Sequence, residues 1–233
     1  MKGLNTQISA YSKDRPPKFH EIELLKLIKK NQIDDYTKVL DIGCASGSFL
    51  SLISKEFPKL SYSGFDISEK LISDARDNLS TIDVNLRVSD ALSFTPEHKY
   101  DLIIASGVLS IFEDLSPLKL WSSWLAERGN LYIFGRFNTK DIDTIIRFRN
   151  HYQGKVENTP WEGGLTAFSL KYVKEYLASI GLKSKFIRFN FPEKLSISDN
   201  PIRTYTVDTI DDQKLIINGA NTIAEHYFLV ISH

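Results

Sequence analysis

Residues 39–49 read VLDIGCASGSF, and the fold turns on this stretch. A short, apolar, β-branched run at 37–42, TKVLDI, carries an acid, Asp41, near its end and opens into small residues at Gly43, Ala45, Ser46 and Gly47. That is the pattern of a buried strand followed by a tight turn. A helix over 47–57 should follow and stop before Pro58, because the residue preceding a proline avoids helical angles. Working outward, the same alternation recurs: strands at 61–65, 85–88, 100–105 and 130–135, with helices at 69–79 and 115–127. This rhythm predicts a parallel sheet with helices on both faces. Upstream, Ile22, Leu24, Leu25, Leu27 and Ile28 recur near helical spacing and predict a helix over 19–32. Downstream the pattern is looser. It predicts a helix over 139–152, a turn-rich loop over 154–164 containing Trp161, and an amphipathic helix over 170–180 closed by Gly181. A strand at 185–191, a hairpin from 203–207 and 214–217, and a closing strand at 227–231 complete the reading.

Composition excludes several classes. The chain has 233 residues, 42% hydrophobic and 25% charged, which is neither a disordered nor a membrane-spanning composition. Lys plus Arg number 29 and so do Asp plus Glu, giving zero formal net charge. Domains whose affinity rests on phosphate neutralisation carry a basic excess, so no nucleic-acid partner is expected. Cys44 is the single cysteine, which rules out an internal disulfide. The opening, MKGLNTQISAYSKDRPPKFHE, lacks a continuous apolar core for a signal peptide. The most apolar internal run, 102–112, is about half as long as a membrane-spanning helix. A cytoplasmic protein with no membrane partner is the expectation; the oligomeric state is not legible.

A strand that carries an acid near its end and opens into a glycine turn brings backbone close to a ligand at the carboxyl edge of the sheet. The dinucleotide fingerprint G-x-G-x-x-G falls on Gly43, Ala45 and Ser48 and fails at the last two, which disfavours NAD. Three later strand ends carry comparable features: Asp66 in YSGFDIS, Asp90 in VSDAL, and Ser106-Gly107 in YDLIIASGVLSIFED. Capping the next helix is the alternative role for each acid, and Ser68 competes with Asp66 for it. Capping alone does not account for four such features at the ends of consecutive strands.

The segment DIGCASG resembles motif I, D-x-G-x-G-x-G, of the class I S-adenosylmethionine-dependent methyltransferases, with Ala45 in place of the middle glycine. The resemblance covers about 37–137 directly. It implies an α/β fold: a single doubly wound, seven-stranded, mainly parallel sheet of order 3-2-1-4-5-7-6. The last strand is antiparallel, helices lie on both faces, and an extra β-hairpin stands between the last two core strands. It implies one methyltransferase domain over 1–233, with 1–36 as N-terminal lid and helix, 37–137 as cofactor-binding half and 138–233 as acceptor-facing additions and closing strands. The implied cofactor is S-adenosyl-L-methionine, leaving as S-adenosyl-L-homocysteine. By the same resemblance, Asp41 and the loop Gly43, Cys44, Ala45, Gly47 and Ser48 hold the methionine end. Asp66 and Ile67 meet the ribose, Asp90 and Ala91 the adenine, and Ser106 and Gly107 the edge of the methionine pocket, with 108–112 beside the adenine. The chemistry suits these roles. A carboxylate favours a nearby ammonium and sulfonium, and its two oxygens can accept from both hydroxyls of a vicinal diol.

Transfer to an acceptor needs positioning of the nucleophile in line with the methyl and, for an alcohol, a general base. The turn after the fourth strand reads Ala105-Ser106-Gly107, without the Pro-Pro-Tyr type of motif used on nucleic-acid amines. Cys44 reads as a small packing residue, and no metal site is expected. His151 is the first candidate base and His226 the second; His20, His98 and His233 read as surface or packed imidazoles. Tyr11, Arg136, Tyr152, Trp161 and Arg203 are candidate acceptor contacts, able as a set to stack on a ring and pair with a phosphate or carboxylate. The expected reaction is methyl transfer to an oxygen of a small polar acceptor such as a sugar or nucleotide-linked sugar. Methylation of RNA or protein, or cofactor binding without transfer, are the alternatives.

Overall fold

The structure, a computed structural model, describes residues 16–30, 37–151, 161–197, 199, 203–209, 214–223 and 225–233. Strands β1 (Lys38–Ile42), β2 (Ser61–Asp66), β3 (Val84–Val88), β4 (Tyr100–Ser106) and β5 (Leu125–Asn138) alternate with helices α2 (Ser48–Glu56), α3 (Glu69–Asn78) and α4 (Ser116–Ser122). Helix α1 (Phe19–Lys29) precedes them. A two-residue β6 (Phe168–Ser169), helix α5 (Leu170–Ser179), β7 (Lys183–Phe189), the pair β8 (Tyr205–Asp208) and β9 (Lys214–Ile217), and β10 (Glu225–Ser232) follow.

The main sheet runs β3-β2-β1-β4-β5-β10-β7, with β6 added beside β5. From β3 to β5 the pairings are parallel, whereas β10 is antiparallel to both β5 and β7. Counted by core strands alone this is the expected order, and β8–β9 forms the expected hairpin as its own small sheet. Alternation along the strands divides the core into two layers. Val39, Leu102, Ile104, Tyr132 and Phe134 face α1, α2 and α3. Leu40, Ile42, Ile103, Leu131 and Ile133 face α4 and α5, where Trp121 and Leu177 are fully buried. Because β1 to β4 run parallel, their carboxyl ends and the loops after them gather along one edge of the sheet.

Two expected elements differ. The helix expected at 115–127 ends at Ser122, and Leu125 already belongs to β5. Tyr100 pairs with Leu125 and Leu102 with Asn130, so the intervening residues bulge out of register. Gly129 permits the bulge: a Cβ there would stand 2.8 Å from the Tyr100 carbonyl oxygen. The helix expected over 139–152 is absent from its described part. Isolated antiparallel bridges join Thr144 to Ala167 and Phe148 to Glu162, and Ile142 and Ile145 stay exposed. The run Thr144-Ile145-Ile146 is β-branched, which favours extended backbone where no core is offered to a helical face.

Candidate functional site

The loop after β1 is built from left-handed residues. Gly43 has φ +67°, and a Cβ on it would stand 2.6 Å from Val108 Cγ2, so only glycine fits. Ala45, the residue in the middle glycine position, is also left-handed at φ 49°. The loop is tied to β2 twice: Cys44 N–H donates to the Phe65 carbonyl at 2.9 Å, and Ala45 N–H donates to Asp66 Oδ2 at 3.1 Å. Asn78 Nδ2 donates to the Ser46 carbonyl at 2.7 Å and anchors it to α3.

A crevice opens at this edge with a cavity volume of about 160 Å³. Gly43, Ala45, Asp66, Ile67, Asp90, Ala91, Ser106 and Gly107 all line it, as do Val108, Ile111 and Phe112 from the segment after β4. The capping alternatives resolve differently for the two acids. Ser68 caps α3, its hydroxyl accepting from Leu71 N–H at 3.3 Å, which leaves Asp66 to the crevice. Asp66 Oδ1 accepts from Ser68 N–H at 2.9 Å and Oδ2 from Ala45 N–H, and a carboxylate, with about four acceptor sites, keeps capacity for a ligand. Burial pushes its carboxyl above the usual value, against the pull of the Ser68, Ala45 and Ile67 amides. Asp90 does make a local turn, Oδ1 accepting from Leu92 N–H at 2.8 Å. The Ala91 carbonyl accepts from Trp121 Nε1 at 3.0 Å, which fixes this loop against α4.

The remaining residues expected around the cofactor do not line the crevice. Asp41 is buried behind the loop, and its carboxyl is held well above the ordinary range, first by burial and then by repulsion from Glu21 on α1 and from Asp66. No cation among the described residues offsets this. Cys44 turns into the core beside Leu50 and Gly64, and burial pushes its thiol up, as suits a packing residue. Gly47 packs on Leu79 and Ser48 begins α2, so both support the loop from behind.

A second crevice, of about 200 Å³, adjoins the first and shares Gly107 with it. Arg136 and His226 line it as cross-strand partners. The His226 ring stacks on Phe134 with centroids 5.4 Å apart. Phe134, Gly164, Ile216 and Thr222 complete its walls and were not singled out from sequence. They come from β5, the loop before β6, β9 and the segment between β9 and β10, with no common motif. His151 lines a smaller crevice with Phe148, Arg149 and Ala220, which shares Leu165 and Asn218 with the second crevice and no residue with the first. Trp161 is 56% exposed with the Arg149 guanidinium 4.6 Å from its ring centroid, and Arg203 is exposed and lines neither main crevice. Tyr11 and Tyr152 lie outside the described residues. His20 is packed, its ring stacked 4.3 Å from that of Phe134.

An open parallel sheet with strand-end acids around a glycine-turn crevice defines the Rossmann-like class of cofactor-dependent proteins. Over residues 33–156, more than half its length, the chain matches the family described as methyltransferase domain, and it belongs to that family. It is similar to the malonyl-[acyl-carrier protein] O-methyltransferase of Priestia megaterium, 24% identical over 88% of this chain and 74% of that one. A second relative, malonyl-[acyl-carrier protein] O-methyltransferase 1 of Ilyobacter polytropus, is 30% identical over 44% of this chain and 38% of its own length. Among solved structures, a DhpI–SAH complex superposes with a TM-score of 0.60 at 13% identity, over 96% of this chain and 90% of that one.

Proposed function

We propose that the chain transfers a methyl group from S-adenosyl-L-methionine to an oxygen of a small polar acceptor lodged in the second crevice. The observation that carries the reading is the convergence of Gly43, Asp66, Asp90, Ala91 and Gly107 on one crevice. These groups suit the cofactor part by part. Asp66 keeps acceptor capacity for a ribose diol, and the Asp90 carboxylate with the Ala91 N–H forms an acceptor–donor pair for the edge of an adenine. Burial and the nearby Glu21 and Asp66 disfavour the charged form of Asp41, and a cationic ligand beside the loop would favour its ionisation. The cofactor brings an electrophilic methyl on sulfur and departs as S-adenosyl-L-homocysteine. The chain's part is to hold the acceptor oxygen beside Gly107, where the two crevices meet, and to exclude water from that junction.

The relatives' names support oxygen as the receiving atom, since both are malonyl-[acyl-carrier protein] O-methyltransferases. They lend no support to the sugar expected from the aromatic and arginine residues. Where the acceptor is an alcohol, His226, which lines the acceptor crevice, is better placed than His151 to take the proton. Calorimetry tests the reading. S-adenosyl-L-homocysteine should bind, and Asp66→Ala should weaken it by roughly 1.5–3 kcal/mol, the range for hydrogen bonds to a charged group. Unchanged affinity in that variant would remove Asp66 from the ribose.

A further inference from the structure

Arg136 stands near the carboxyl end of β5 and lines the acceptor crevice. One hydrogen bond holds it, Nη2 donating to Thr222 Oγ1 at 2.9 Å, while its Nε is buried and donates to no described residue. No carboxylate among the described residues pairs with it. The acid nearest in register, Glu225, stands opposite Phe137, whereas Arg136 stands opposite His226, so the two side chains project from opposite faces of the sheet. Glu225 is already engaged there by Arg188 at 3.2 Å and by the Tyr227 hydroxyl at 3.0 Å. Burial lowers the Arg136 pKa with no opposing acid. Arg136 is half-buried, and a guanidinium drawn partly out of water without a counter-ion is favoured by a ligand that supplies the missing charge. The surroundings of Arg136 suit such a ligand, since Gly135 and Gly164 leave room beside it and Gly107 joins its crevice to the first one.

We propose that Arg136 is the anion receptor of the acceptor crevice, and that the acceptor presents to it a carboxylate or phosphate group. This rests on the assignment of the two crevices above and names the class of acceptor they take. A guanidinium offers parallel N–H donors matched to paired anionic oxygens, which a hydroxyl of a neutral sugar does not reproduce. Acceptors are then acidic, and neutral analogues of the same size bind poorly.

The experiment uses the full chain saturated with S-adenosyl-L-homocysteine, titrated by calorimetry with malonate, inorganic phosphate and glucose. An anion should bind and glucose should not. Arg136→Gln should weaken the anion at least tenfold while homocysteine-product affinity stays within about twofold. Preference for malonate identifies a carboxylic acceptor, and preference for phosphate a phosphorylated one. Absence of anion binding to the saturated wild type, or anion binding unchanged in Arg136→Gln, overturns the proposal. Should Arg136→Gln fail to fold, Arg136→Lys decides: it keeps the charge without the fork, so anion affinity must fall at least threefold. Failure of the wild type to bind S-adenosyl-L-homocysteine is a separate result, and it overturns the cofactor assignment itself.

Discussion

At the scale of single residues, the loop after β1 shows what a small departure from a pattern costs. Ala45 occupies left-handed angles that cost a non-glycine residue roughly 1–2 kcal/mol, partly offset by the lower entropy of its unfolded chain. Ala45→Gly should therefore stabilise the protein by about 0.5–1 kcal/mol, measured by urea denaturation, with cofactor affinity retained. Asp41 makes a prediction in pH. Its folded pKa is raised, so its contribution to stability is full below the ordinary carboxylate range and is lost as pH rises through the raised value. The ligand-free protein should melt at a higher temperature near about pH 5 than near about pH 8, and Asp41→Asn should flatten that difference. A steeper pH dependence in the variant would contradict the assignment. The acids Asp41, Asp66 and Asp90 were legible because each sits at or beside a strand end in a short stretch of chain. Which of them lines the crevice was not, because that depends on their surroundings: Ser68 takes the cap from Asp66, and Asp41 is buried near Glu21 of α1.

At the scale of elements, α4 ties the core to the site. Trp121 is fully buried and its indole N–H holds the Ala91 carbonyl, so packing on that face sets the position of the Asp90 loop. Trp121→Phe should cost about 1–3 kcal/mol of stability, through lost volume and an unpaired carbonyl. It should also raise the dissociation constant of S-adenosyl-L-homocysteine severalfold, read by calorimetry. A loss of stability with cofactor affinity intact would uncouple the loop from the helix. The alternating strands and helices up to β5 were legible because each carries its own periodicity and its own turn residues. The segment after β5 was not. Its isoleucines fall at helical spacing, yet the fold offers that face no core, and extended bridges to Ala167 and Glu162 form instead. The second crevice was hidden for a related reason, since Phe134, Gly164, Ile216 and Thr222 come from segments far apart in the chain.

At the scale of the whole molecule, the sheet order gathers the ends of four parallel strands along one edge, and the antiparallel β10 brings His226 against Arg136 at the same end. With a formal net charge of zero, the chain as a whole has no overall electrostatic attraction for polyanions. Among the described residues no helix is long and apolar enough to cross a membrane. Ligand binding should be visible in global stability, because a ligand held only by the native state adds about 2.7 kcal/mol at a hundredfold excess over its dissociation constant. The most direct measurement is a parallel calorimetric titration of the protein with S-adenosyl-L-homocysteine and with NAD. Saturable one-site binding of the first, weakened in Asp66→Ala and absent for NAD, is the predicted result. Binding of NAD, or no binding of S-adenosyl-L-homocysteine by folded protein, would contradict it.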